Sequence, residues 1–126
     1  MADSTPRWVT QSLYDLETAK AMLDSGRYFS VLFCCQQAVE NMRKALIAKR
    51  TNALPPRLHN LVRLAEVSTL VVPEEIARLF RKLTDFSIVS RYPEELTQEE
   101  GAIDALQVQP MYAATKEAWI WLVSHL

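Results

Sequence analysis

The sequence predicts an all-α protein, an up-and-down four-helix bundle with an extra short helix. Two observations carry that prediction. Apolar residues recur at steps of three and four through most of the chain, and no stretch keeps the strict alternation of a half-buried strand. Only two glycines occur, Gly26 and Gly101, so the chain has few places to turn sharply beyond those its prolines provide. A length of 126 residues fits one domain, 1–126, with a single sizeable core.

The first helix begins at "STPRW", with Thr5 as N-cap and Pro6 at the first helical position. Val9, Leu13, Leu16, Ala19 and Leu23 form its apolar stripe, and Gly26 is the expected stop. The second helix runs from about Tyr28 to Arg50. Leu32, Cys35, Val39, Met42 and Leu46 make the narrow seam of a packed bundle. Lys49 and Arg50 suit its negative C-terminal end, and the prolines of "TNALPPR" break it. A short third helix covers roughly His59–Leu70, with Leu61, Leu64 and Ala65 inward. "VVPEE" opens a fourth, with Pro73 at the first position and two glutamates complementing the helix dipole. Its stripe is Ile76, Leu79, Phe80, Leu83 and Phe86, and Pro93 ends it. Within 94–110, "TQEE" offers a capping box, while Gly101 and Pro110 speak against one long helix. An exposed, partly irregular crossing is expected there. The last helix starts near Pro110 and holds Tyr112, Trp119, Leu122, Val123 and Leu126. Trp119 and Trp121 fall on different faces, so one is expected in the core and the other partly exposed or at an interface.

Hydrophobic residues make up 49% and charged residues 23%, with net charge −1 and pI near 6.1. No global basic field advertises nucleic-acid or membrane binding, although a local site is compatible with this balance. No apolar run approaches the ~20 residues that span a bilayer. "MADSTPRW" lacks the basic-then-apolar pattern of a signal peptide. A cytoplasmic location without a membrane partner is expected. Cys34 and Cys35 point ~100° apart on a helix, badly placed to share a metal or pair with each other, and are expected as buried reduced thiols. The chain has no Gly-rich phosphate loop, metal-ligand spacing or Ser–His–Asp grouping, so neither cofactor nor metal is expected.

The chemistry concentrates in "FCCQQAVENMRKALIA", residues 33–48. On a helical wheel, Gln36, Glu40, Arg43 and Lys44 lie beside and opposite the apolar seam, with Gln37 and Asn41 further round. Phe29, Phe33 and Ile47 share the same arc. Glu40 and Lys44 stand in the favoured i,i+4 order for an ion pair worth ~0.2–0.5 kcal/mol. A solvated face explains those two charges. It does not explain two phenylalanines and an isoleucine among them, which points to burial under another helix or a second subunit.

Several pieces in order, "W…L…DLETAKAMLDSGRYFSVLFCCQQAVENMRKAL…LHNLVRL…SRYPEE", resemble the HEPN domain family, small helical proteins of bacteria and archaea. The carriers are Trp8, the Asp15–Leu16 pair, Gln37, Glu40 and Lys44 in the second helix, His59-Asn60-Leu61, and Arg91-Tyr92-Pro93. The resemblance covers about residues 8–93. It implies an up-and-down bundle, usually dimeric, often encoded beside a minimal nucleotidyltransferase, called MNT, with which it forms a toxin–antitoxin pair. Many such domains are metal-independent endoribonucleases whose motif is an arginine followed a few residues later by a histidine. Others are non-catalytic and bind nucleotide or RNA.

After Arg91 this chain reads "YPEELTQEEGAIDALQVQP", with no histidine; the only histidines are His59 and His125. Metal-free RNA cleavage needs a general base and a stabiliser of the developing charge. Arg91 suits the second role, and the usual base is missing. The resemblance therefore implies a nucleotide- or RNA-binding homodimer that works with an MNT-type nucleotidyltransferase and is not catalytic alone. An endoribonuclease toxin using Arg91, and a purely structural interaction bundle, stand as alternatives. The expected ligand site comprises Arg91, Tyr92, His59, Glu40, Lys44 and Gln37. Glu40 would pair bidentately with Arg91, Gln36 or Gln37 would add hydrogen bonds, Lys44 and His59 would attract a phosphate, and Tyr92 would offer a face to a base. Three of them also have a plainer role: Arg91 as a helix C-cap, Tyr92 as a wedge at a helix end, His59 bonding a loop carbonyl.

Overall fold

The computed structural model describes residues 3–51, 55, 71–90 and 104–126, with only the backbone described for 87–90. Four helices occupy these residues: α1 (Thr5–Asp24), α2 (Tyr28–Thr51), α3 (Glu74–Ser90) and α4 (Ala105–Ser124). No strand occurs among the described residues, and the all-α class read from the sequence holds. The expected helix at 59–70, the "TQEE" capping box and the proline stop at Pro93 lie outside the described residues.

Helix α1 starts one residue earlier than its composition suggests. Ser4 is the N-cap, Thr5 is already helical, and the N-cap side chain makes no capping bond. Asp3 takes over that task, its Oδ1 accepting from the Thr5 amide at 2.9 Å. The helix ends as expected at Gly26, whose φ of +76° only glycine adopts without strain. The Gly26 amide donates to Leu23 O at 3.2 Å and the Arg27 amide to Met22 O at 2.9 Å, the paired bonds of a Schellman stop. This tight turn folds α2 straight back along α1.

The seam of α2 is buried throughout: Leu32, Cys35, Val39, Met42 and Leu46 are each at most 2% exposed. Around this core sit Leu79, Phe80 and Leu83 of α3 and Val108, Ala118 and Leu122 of α4. Burying each large side chain contributes ~1.5–3 kcal/mol. Helix α2 touches all three others and is the centre of the bundle, whereas α1 and α3 make no contact among the described residues. Lys49, near the end of α2, donates to the Leu126 backbone oxygen just beyond α4 at 2.8 Å. The two C-termini therefore lie together, so α2 and α4 run parallel with α1 antiparallel to both, an up-and-down arrangement.

Two helix starts depart from expectation. Pro73 is not the first residue of α3. It stands just before it, its carbonyl accepting from the Ala77 amide at 2.9 Å. Helix α4 begins five residues before Pro110 and carries that proline inside it. A capping box made by Asp104 and Gln107 opens it: Asp104 Oδ1 accepts from the Gln107 amide at 3.2 Å and Gln107 Oε1 accepts from the Asp104 amide at 3.3 Å. The irregular crossing expected up to residue 110 is thus helical from residue 105. The inward face of α4 is Val108, Thr115, Ala118 and Leu122, while Val123 is 37% exposed.

Candidate functional site

The polar residues of α2 are inside the bundle. Gln36, Glu40, Arg43 and Lys44 are between 0% and 7% exposed, and Ile47 is 2% exposed. Glutamine, glutamate, arginine and lysine are good helix formers, so they leave the helix intact while tertiary packing decides their burial. The arc read from the sequence is therefore covered by the chain itself. Of the two covers expected for it, another helix or a second subunit, the chain's own helices bury this part, and Ile47 needs no partner. Only the outer part remains open. Gln37 and Phe29 are partly buried and Phe33 is 50% exposed.

Aromatic faces meet both cations of this layer. The Arg43 guanidinium carbon lies 5.7 Å from the Phe80 ring centroid, and Lys44 Nζ lies 5.2 Å from that of Trp8. Such contacts contribute about 2 kcal/mol when the cation is desolvated. Burial, and secondarily the Arg50 charge, pushes the Arg43 guanidinium down to about 10. It stays charged at neutral pH. Lys44 thus has an aromatic partner in α1 that the spacing of Glu40 and Lys44 alone did not suggest. Trp8 also has its indole nitrogen buried without a hydrogen-bond partner among the described residues.

A second polar group joins α1 to α2 further round the helix. Asn41 Nδ2 donates to Asp15 Oδ2 at 2.7 Å, and Gln11 Nε2 donates to Asp15 Oδ1 at 3.1 Å. Burial raises the Asp15 pKa above its ordinary 3.8, and the two amide donors offset this only in part. One turn earlier, the fully buried Ser12 hydroxyl donates to the Ala38 carbonyl and accepts from Trp119 Nε1 at 2.8 Å. One side chain thereby ties α1, α2 and α4. Trp119 and Trp121 are both half-buried, so the expected partly exposed indole is present but neither ring lies fully in the core. Both thiols are free. Cys35 is buried and pushed up to about 12 by desolvation, while Cys34 is half-buried and raised by the same cause.

Of the six residues expected to bind a ligand, Glu40, Lys44 and Gln37 are described. All lie on α2, the first two buried and the third partly so. Arg91, Tyr92 and His59 lie outside the described residues, as does the Glu40–Arg91 pairing. Sequence reasoning underrated Arg43. At 100° per residue it falls only ~40° from Val39 on the wheel, close to the seam, and that angle signals burial. Among the described residues no group of three His, Cys, Asp or Glu side chains could hold a metal ion. No helix there is long and apolar enough to cross a membrane.

A family model described as HEPN domain matches residues 5–112. Among solved structures, the crystal structure of TT1696 from Thermus thermophilus is similar with a TM-score of 0.84 and 21% identity, over 99% of this chain and 100% of that one. ST0689, an archaeal HEPN homologue, gives a TM-score of 0.77 and 21% identity over 98% of each chain. At this identity the two structures speak for the fold alone. No curated protein sequence matches the chain.

Proposed function

This chain belongs to the HEPN domain family, and on that premise we propose that it is the nucleotide- or RNA-binding half of a two-protein module. Its partner in this reading is a minimal nucleotidyltransferase of the MNT type, in a toxin–antitoxin arrangement. The chain acts as a cytoplasmic homodimer and has no catalytic activity by itself. The observation that carries the reading is the buried polar layer of α2. Gln36, Glu40, Arg43 and Lys44 occupy interior positions that leucine could fill. Taking a charge out of water costs several kcal/mol before pairing offsets it, and replacing buried ion pairs by apolar residues is often neutral or stabilising. A layer that stability alone would not keep fits a binding role. In this reading Arg91, Tyr92 and His59 complete the site, with Lys44 and Arg91 attracting phosphate.

The absence of catalysis follows from the stretch after Arg91, which has no histidine to serve as base. The homodimer is supported by the half-exposed Phe33 and by Leu106 and Ile120 of α4, which are 84% and 55% exposed.

A thermal-shift titration with ATP, AMP and a short single-stranded RNA tests the reading. A ligand at 100 times its dissociation constant stabilises the fold by ~2.7 kcal/mol, which raises Tm by roughly 10 °C in a domain of this size. Arg91→Ala should abolish the shift, whereas Arg50→Ala, at the exposed end of α2, should leave it nearly intact. If none of the three ligands moves Tm, the nucleotide reading fails. Metal-free RNA cleavage that Arg91→Ala abolishes would replace it with the endoribonuclease reading.

A further inference from the structure

An open crevice of about 400 Å³ lies between the first half of α3 and the second half of α4, within the size range of small-ligand sites. It is separate from the polar layer of α2. Leu79 and Ala118, both buried, form its apolar floor together with the half-buried Ile76. Trp121 lines it as well, its ring held by a neighbouring His125 ring 4.2 Å away between centroids. A carboxylate stands on each wall, Glu75 from α3 and Glu117 from α4. Both are exposed, and neither makes an ion pair or side-chain hydrogen bond among the described residues. A smaller crevice shares Glu75, Leu79 and Ala114 with the first and continues past Arg78 and Lys82. The charge along the two thus changes from acidic to basic.

We infer that the larger crevice binds a small organic cation, an ammonium or amidinium carried on an apolar body. A cation seated over the apolar floor is attracted by the carboxylate on either wall. The Trp121 ring adds a cation–π contact, strongest for tryptophan among the aromatic side chains. Leu79 and Ala118 take the apolar body. Arg78 and Lys82 repel a second cation, so they set the ligand's direction: its charge sits at the Glu75–Glu117 end. A free inorganic cation gains nothing from the apolar floor, and an anion meets both carboxylates. The recognised class is therefore neither of these.

The test uses the full chain, amide NMR and two probes of nearly equal shape, phenethylamine and phenethyl alcohol. The amine should give saturable shifts at residues 74–79 and 114–121, with an affinity about tenfold or more above that of the alcohol, equivalent to about 1.4 kcal/mol. The double variant Glu75→Gln and Glu117→Gln alters only exposed side chains. It should bring the amine down to the alcohol's affinity and leave the alcohol unchanged. Equal affinity of the two probes overturns the inference, as do shifts centred elsewhere or amine binding that survives the double variant. Crevice resonances that move with protein concentration and not with amine would assign the crevice to a second copy of the chain, and also overturn it.

Discussion

Asp15 keeps an ionisable carboxyl half inside the α1–α2 joint, where Asn41 and Gln11 hold both of its oxygens. Its pKa is raised from 3.8 chiefly by burial. A carboxyl raised on folding contributes stability that is full below its unfolded value and is lost as pH rises through the folded one. Asp15→Asn keeps an acceptor for Asn41 and removes the charge. Its Tm should equal or exceed that of the wild type at neutral pH, and the difference should shrink on acidification towards 3.8. A thermal-melt series across this pH range checks the sign, and a variant that loses ground only at neutral pH contradicts it. At this scale the sequence was legible where a residue's periodicity matched its burial, as for Leu32 or Leu83. It was less so where a polar side chain is buried by partners far along the chain. Nothing local marks Asn41 as the partner of Asp15, 26 residues away, or Trp8 as the partner of Lys44.

Helix α4 shows where element boundaries escape local rules. Pro110 lacks the amide that would bond the Leu106 carbonyl, a loss that ordinarily breaks a helix. Two features outweigh it. The Asp104–Gln107 box satisfies amides of the first turn, and Val108, 0% exposed, packs into the core only if the helix has already begun. Pro110 itself is exposed. The local box and tertiary burial together placed the boundary against the proline, whereas Gly26 alone placed the end of α1 and was readable. Asp104→Ala should cost about 1 kcal/mol and lower Tm by about 4 °C. Amide exchange should accelerate at 105–108 and stay unchanged in α1 and α2. An unchanged exchange rate at Gln107 would show that the box does not hold the end.

Among the described residues α2 and α4 each touch every other helix, but only α2 is buried on every side over a long run, from Ala38 to Ala48. That geometry explains how a charged arc on it is buried without a second subunit, and limits where a homodimer could form. Phe33, at 50% exposure, is available to a partner, while Ile47, at 2%, is not. Sedimentation at micromolar concentration should give twice the chain mass of 14.4 kDa. Phe33→Ser should shift it towards monomer with Tm nearly retained, whereas Ile47→Ser should unfold the chain, since it places a hydroxyl in the core at a cost of several kcal/mol. A strictly monomeric wild type would remove the dimer. The Ser12 hydroxyl has a consequence of another kind. Its bond to Ala38 closes 26 residues of chain and its bond from Trp119 closes 107. Loop entropy grows as the logarithm of length, so the longer closure costs about 1.3 kcal/mol more. The α1–α2 hairpin can therefore form first, its hydroxyl proton already committed and its lone pair free, and the entropic burden of assembly falls on the arrival of α4.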